Sequence, residues 1–506
     1  MNRWIITGTL DTRSPLHVGD GSTVHRPELK VKDAQGNERL AEVNGVAVDI
    51  DGRPSIPGTA LKSLLRRAMV SAAIDIGTID RLLGSSDNGG RVEFRFARMP
   101  AAWTAPVGWQ APPYWSESRR TGVKASTAVD RRSRTVLEHR LYHTEYVPAG
   151  LAFSLEMIGH DLTTTEVGQI LGSLDLVRRE GSDLSVGAGA STSWGRVEAT
   201  GLTCMCLDAA GLKEWLASDA DATSPGDKPT WCDFAKVPSG VADLEIRSAR
   251  SAVTNSASRL TIPLVLQFDG AFLTSGERQQ PGEGQPNAVP LLDSEGRLWL
   301  PGESLKGALR SQAERILRTV RQPACMPDKS CDAPSEIAEL DNVCLACCLF
   351  GVTGWGAPLQ VGHFVSASVQ TFTQDFVAID RFTGGGSVGG GPGHATDGSG
   401  TGGRKFKVRA AWAPRLAGII QLDISRLLRT NRAEAAIGLL AYVLRDLEEG
   451  DVQVGAKRSV GYGACRATGT DWRELLESSL PGTTTLAQCL QAFGALPPAA
   501  PEVGNG

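Results

Sequence analysis

The chain has 506 residues, of which 41% are hydrophobic and 21% charged, and its net charge is −4. That length exceeds what one hydrophobic core supports, so at least two domains are expected. The mild acidity excludes nucleic-acid binding through a global positive field, leaving only local basic clusters such as Arg66-Arg67, Arg119-Arg120, Arg131-Arg132 and Lys457-Arg458.

No apolar run reaches membrane-spanning length, and Arg3-Trp4-Ile5-Ile6 opens a strand rather than a signal peptide. A cytoplasmic protein with no membrane partner is expected. In chain order, a strand over Trp4–Leu10 leads into a Gly-bearing turn, Leu16–Gly21. Val46–Ile50 then carries Asp49 into a tight Gly turn. Gly52-Arg-Pro-Ser-Ile-Pro-Gly-Thr-Ala-Leu-Lys62 follows, a short strand passing through Pro-Gly into a helix with Leu61, Leu64 and Leu65 at helical spacing. Thr59 stands where an N-cap belongs. An irregular stretch starts at Ala128-Val-Asp130-Arg131, strands with a Gly turn span Tyr146–Gly159, and a Gly-rich turn at Val186-Gly187-Ala-Gly189 closes the unit.

The same order then returns. A strand over Leu260–Phe268 leads to a turn ending at Gly276, Asp293 precedes a Gly turn, and Gly296-Arg-Leu-Trp-Leu-Pro-Gly-Glu-Ser304-Leu-Lys306 repeats the Pro-Gly helix with Ser304 at the expected cap. Val377-Ala-Ile-Asp380-Arg381 starts a Gly-rich stretch over 382–404, strands cover Trp412–Ile424, and Val454-Gly455-Ala-Lys457-Arg458 closes. Ordered recurrence of this kind marks a tandem duplication. The expected boundaries are 1–241 for unit one, a linker over 242–258, 259–495 for unit two, and a disordered tail over 496–506. Few residues are left for parallel crossovers, which predicts an α+β, ferredoxin-like unit with its helices on one face of the sheet.

A helix start after a Gly turn presents free N–H groups and a positive dipole end, and Lys62 or Lys306 follows within the first turns, so each is a candidate phosphate site. The turns at Gly187, Gly189 and Gly455 permit close approach of a phosphate to the backbone. Singly, each is equally a capped surface helix or an ordinary turn. Five of the ten cysteines fall between Cys325 and Cys348. Cys325, Cys331, Cys344 and Cys347 can supply four thiolates to a tetrahedral Zn2+, a structural site with no open position for water. Buried free thiols are the alternative. Cys348 is the spare, and unit one has no counterpart to the cluster.

The Pro-Gly-to-Leu-Lys helices, the Ile379-Asp380-Arg381-Phe-Thr-Gly-Gly stretch and the closing Gly-rich turns together resemble the RAMP superfamily. Most closely they look like the backbone subunits of type III CRISPR effector complexes, in the fused form of type III-D systems. The resemblance implies two tandem modified RNA-recognition-type domains, each with a β-hairpin thumb after Asp130 or Asp380. It implies CRISPR guide RNA, complementary target RNA and other type III subunits as partners, and a zinc knuckle over 325–348. Guide contacts would fall on Lys62, Arg66, Gly187, Gly189 and Arg131 in unit one. In unit two they would fall on Lys306, Arg310, Arg381, Gly455, Lys457 and Arg458.

Catalytic relatives place an Asp six residues before the acid that precedes the Gly turn, and use it with a divalent metal to cut target RNA. Here those positions are Val43 and Asn287. Asn cannot supply the carboxylate charge that holds Mg2+. Glu42, reached by a one-residue slip, and Asp49 and Asp293 are the remaining acids, with Mg2+ as cofactor only in that case. The expectation is an RNA-binding scaffold, with a target-cleaving endoribonuclease as the alternative reading. Seven scattered histidines give no set for metal-free RNA processing.

Overall fold

The structure, a computed structural model, describes residues 2–497 apart from 33–36, 106–107, 131–135, 179–183, 220–229, 255–258, 277–285, 327–329 and 378–404. In unit one the central strand β1 (Arg3–Thr12) buries Trp4, Ile6 and Leu10. Helices α1 (Gly58–Ser71) and α2 (Ile76–Leu83) follow, then the antiparallel pair β2 (Gly122–Val129) and β3 (Val136–Tyr146). Strand β4 (Ala152–His160), helix α3 (Thr164–Arg178) and strand β5 (Val197–Leu207) complete the main layer. β1 lies between β4 and β5, antiparallel to both, with Ile6 opposite Met157 on one side and Cys204 on the other. The core packs this sheet against the Leu61, Leu64 and Leu65 face of α1 and the Val167, Ile170 and Leu174 face of α3. A second sheet joins β2 and β3 to the hairpin Thr23–Lys32 and Glu38–Asn44.

The segment expected as a linker carries helix α4 (Val241–Ala252), packed on α3. Gly168 and Gly172 of α3 make this possible, since a Cβ on either would come within 2.7 Å of α4 or of Val253 beside it. Arg250 then clamps Asp175 with two bonds of 2.6 and 2.8 Å. Only the later part of the expected linker, 255–258, lies outside the described residues.

Unit two repeats the plan. Strand β6 (Arg259–Phe268) buries Leu260, Ile262, Leu264, Leu266 and Phe268, a period of two along one face. Helices α5 (Gly302–Thr319) and α6 (Leu345–Phe350), the pair β7 (Thr371–Val377) and β8 (Lys405–Trp412), strand β9 (Arg415–Asp423), helix α7 (Ala433–Glu449) and strand β10 (Cys465–Thr468) follow. β6 lies between β9 and β10, as β1 lies between β4 and β5. Both units are therefore α+β and ferredoxin-like, in tandem. Of the expected tail, Leu496 and Pro497 accept bonds from Gln322, and the rest lies outside the described residues.

The Pro-Gly motif has a packing cause. Pro57 and Pro301 are the N-caps, at φ −60 and −59, and neither helix has a side-chain cap. Thr59 and Ser304 lie inside the first turn, which corrects the expected caps. Each following glycine sits against sheet backbone: a Cβ would come 2.5 Å from the Phe94 carbonyl oxygen at Gly58 and 2.3 Å from that of Val361 at Gly302. Proline presets the turn, and only glycine fits behind it.

The units meet head to tail. Lys124 of β2 pairs with Glu303 in the first turn of α5, and its ammonium lies 5.2 Å from the Trp194 ring and 5.6 Å from that of Trp299. The Gln110 amide donates to the Ser294 carbonyl at 2.9 Å, and Arg196 to Gln421 at 3.3 Å. A cleft of about 960 Å3 lies between the units, with Tyr114, Trp115, Arg196, Trp299 and His363 in its walls.

Candidate nucleic-acid interface and metal centre

The closing Gly-rich turns of the two units superimpose residue by residue in their bonding. The Ala188 amide donates to the His17 carbonyl and the Ala456 amide to the Leu273 carbonyl, at 2.9 and 2.8 Å. The glycine before each has φ +78 at Gly187 and +94 at Gly455, and a Cβ there would approach the same carbonyl oxygen to 2.2 and 2.6 Å. Close approach is real, but it is to the unit's own backbone. This contact accounts for the glycines at 187 and 455 by the packing of the turn itself. They shape the turn that carries the next residues outward.

Those next residues differ. Gly189 has φ +78; its counterpart Lys457 holds the left-handed conformation at φ +60 with a side chain. The Lys457 ammonium lies 4.2 Å from the Phe406 ring and 4.5 Å from the Phe376 ring, two rings that stack one pair before the end of the β7–β8 ladder, beside the 378–404 connection. Burial lowers its pKa. Arg458 follows, half-buried. Arg131, Arg381 and the 382–404 stretch lie outside the described residues.

The helix starts also differ from the expectation. At α5 the Gly302 amide donates to His363 Nδ1 at 2.9 Å, and Glu303 binds Lys124. Unit one covers this start: the Thr192 carbonyl oxygen would lie 2.9 Å from a Cβ on Gly302. The start of α5 is thus a docking point between units rather than an open phosphate site. His363 is half-buried in the seam between the units, and loss of water around its ring with the charges of Lys124 and Arg196 pushes its pKa down to about 3. The neutral ring accepts at Nδ1 and so carries its proton on Nε2. Lys306, on the next turn, is lowered to about 7 by burial and by Arg310. Lys62 in unit one is half-buried.

Arg66 and Arg310, expected on RNA, are engaged inside the protein. Arg66 donates to Asp80 at 2.7 Å and to the Gly84 carbonyl. Arg310 donates to Glu314 at 3.1 Å, to the Gly351 carbonyl at 3.0 Å and to Cys347 Sγ at 3.0 Å. Each guanidinium ties the Pro-Gly helix to the glycine that ends the next helix.

The acids proposed for catalysis also have structural work. Asp49 Oδ1 accepts from the Asp51 and Arg53 amides, both at 3.0 Å. Asp293 Oδ1 accepts from the Glu295 and Arg297 amides at 3.0 and 2.9 Å, and its Oδ2 from Arg297. These are turn-locking carboxylates. Glu42 is exposed on its strand opposite His25. Val43 bridges His143 in parallel, and the Asn287 amide donates to the Lys407 carbonyl at 2.7 Å, while Asn287 Oδ1 accepts from the Lys407 amide at 2.8 Å. The two hairpin strands thus pair at corresponding places, which favours the unslipped match of Val43 with Asn287. His17 Nδ1 pairs with the Glu145 carbonyl oxygen at 2.7 Å and belongs to the turn.

Cysteines 325, 331, 344 and 347 converge as the spacing predicts. Their sulfurs all lie within 4.8 Å of one another, with Cys325 at 3.5, 3.7 and 3.2 Å from Cys331, Cys344 and Cys347. A Zn–S bond of about 2.3 Å implies sulfurs about 3.8 Å apart, so the donor set fits a tetrahedral metal with little adjustment. The Cys347 amide and thiol bond Cys344 and pull its pKa down to about 5. Cys348 turns away toward Thr430, as the spare should. These four could hold a metal, and among the described residues no other cysteine cluster does.

One constellation escaped sequence reading. Glu145 of β3, fully buried, accepts from Arg26 at 2.8 Å, Arg119 at 2.7 and 2.9 Å, Thr121 at 2.6 Å and the Val46 amide at 3.0 Å. Burial would raise its pKa, but Arg119, Thr121 and Val46 together hold it below 4.5. The only signal was Arg119 within a basic pair, and its partners lie too far along the chain to be connected.

No curated protein matches the chain. The family model of the RAMP superfamily matches residues 9–198 and again 246–466. Two matches that fall on the two ferredoxin-like units, and together span most of the sequence, place the chain in the RAMP superfamily.

Proposed function

We propose that the chain is a guide-RNA-binding backbone subunit of a type III, III-D-like CRISPR effector complex, holding the guide at two successive positions and helping to bind complementary target RNA. Membership in the superfamily carries a CRISPR-associated, RNA-binding role in general. The observation that carries the finer reading is repetition: one chain builds the same helix start and the same Gly-rich turn twice, head to tail. In this reading Lys62, Lys457 and Arg458 meet the guide backbone, and the hairpins that begin at β2 and β7 are the thumbs. Lys306 lies one turn inside a helix start that the other unit covers, so its part is secondary. The carboxylates that could serve cleavage lock turns or lie exposed on a strand, and nothing in their geometry favours an endoribonuclease.

The test is purification of the full chain with its partner subunits, followed by extraction of bound RNA and titration with a complementary strand. A small guide RNA should copurify. Lys62→Ala with Lys457→Ala should weaken guide retention and reduce the salt dependence of binding by about two counterions. A complex that carries no small RNA would end this reading. Regularly spaced Mg2+-dependent products that vanish in Glu42→Ala would replace it with the endoribonuclease.

A further inference from the structure

We propose that Arg310 is the positioning residue of the cysteine cluster: its guanidinium sets the Cys347 sulfur in place and offsets the charge of a four-thiolate metal site. Four thiolates around a divalent cation leave a net charge of −2 in a setting where Cys325, Cys344 and Cys347 are buried. Buried charge of that size needs donors close by. Arg310 supplies one at 3.0 Å from Cys347 Sγ, with the same nitrogen 4.0 Å from Cys325 Sγ.

The other two arms of the fork are fixed. Nε donates to Glu314, which is 1% exposed, and Nη1 to the Gly351 carbonyl one helical turn beyond Cys347. Arg318 continues the ladder along α5, near Glu314 and donating to the Cys325 carbonyl at 3.3 Å. Only a planar guanidinium reaches three such partners at once.

Unit one supplies the internal control. Arg66 stands four residues after Lys62, as Arg310 stands four after Lys306. Its partners are the Asp80 carboxylate and the Gly84 carbonyl. Asp80 precedes Gly84 by four residues, as Cys347 precedes Gly351. The place opposite the guanidinium is held by an anion in unit one, and in unit two Cys347 takes that place. A metal-bound thiolate fills the same electrostatic role, so the cluster is built onto a contact that the unit already has.

The experiment uses the full chain and measures zinc content, the rate of zinc transfer to a chromogenic chelator, and the thiolate-to-metal charge-transfer bands of the cobalt(II)-substituted protein. Arg310→Met should weaken zinc retention about 10- to 100-fold and shift the cobalt bands. Arg310→Lys should recover part of the retention. Arg66→Met should leave both readouts unchanged. Because Arg310→Met takes the nearer of two cations from the buried Glu314, the double variant Arg310→Met with Glu314→Gln removes both charges and carries the test if the single variant fails to fold. Zinc retention at the unsubstituted level in the double variant would overturn the proposal, since Arg310 would then serve Glu314 alone. A chain that purifies without zinc and takes up no cobalt would overturn it as well.

Discussion

Unit one and unit two share a backbone plan but stabilise the same joint with different chemistry. In unit one the Pro-Gly helix is tied to the next helix by an Arg66–Asp80 ion pair, and a separate charge network under Glu145 holds the hairpin sheet. In unit two the tie is Arg310 to Cys347, and a lengthened connection over 320–344 brings in three more sulfurs. The lesson is that duplication keeps geometry and frees chemistry. A guanidinium facing an anion survives in both, while the anion itself changes.

Removing the metal should break that comparison most strongly. Chelation or Cys344→Ser should unfold the 320–350 region of unit two, since structural zinc sites contribute on the order of 10 kcal/mol in small domains. Hydrogen exchange should show this loss beside an unchanged unit one; equal loosening of both units would contradict the asymmetry. Next in size is Glu145→Ala, which leaves the buried Arg26 with Glu28 alone and strips the half-buried Arg119 of its two-pronged carboxylate partner, and should cost about 3–5 kcal/mol in unit one alone. The same group gives a pH dependence. Its carboxylate is held below 4.5, so its stabilisation is full above the unfolded value and is lost as pH falls through the lower folded one. Thermal unfolding of unit one should therefore weaken selectively in acid, and Glu145→Gln should remove that slope.

Two further substitutions should behave alike in the two units. Gly195→Ala and Gly463→Ala put a Cβ 1.9 and 2.0 Å from the carbonyl oxygens of Val186 and Val454, at φ +71 and +79. Each should cost at least about 2 kcal/mol by strain and displacement, read from denaturant midpoints. A clear difference between them would show that the turns are not equivalent. Smallest is Lys457→Gly, which converts the second turn to the first. It relieves a left-handed side chain and loses the contact with Phe376 and Phe406, so stability should change by less than about 1 kcal/mol. Guide retention should nonetheless fall.

The duplication, the fold class and the cysteine donor set were legible because each is written in local spacing. Period-two burial in β6, Leu61/Leu64/Leu65 spacing and Cys-x2-Cys all survive translation into three dimensions. The roles of Arg66 and Arg310 were not legible, because an arginine one turn after a lysine reads as a basic stripe until its partner at Asp80 or Cys347 is placed. The caps were misread for a related reason: Thr59 and Ser304 have the right chemistry, but the constraint that fixes the helix start is a neighbouring carbonyl oxygen, invisible in the sequence. The 242–252 segment lacked a strong apolar stripe, and small residues on α3 rather than its own composition let it pack as a helix.

The contact between the units joins unlike surfaces: a Gly-rich turn from unit one against a helix start from unit two. Such a heterologous contact has no twofold axis. Within one chain it therefore leaves one surface of each kind over. Ile50, 97% exposed, occupies the place that Ser294 fills under Gln110. At the other end Val460, 54% exposed, occupies the place where Thr192 lies against Gly302. The molecule has a direction: its two ends are different surfaces, and each corresponds by repeat position to one half of the contact that the two units already make.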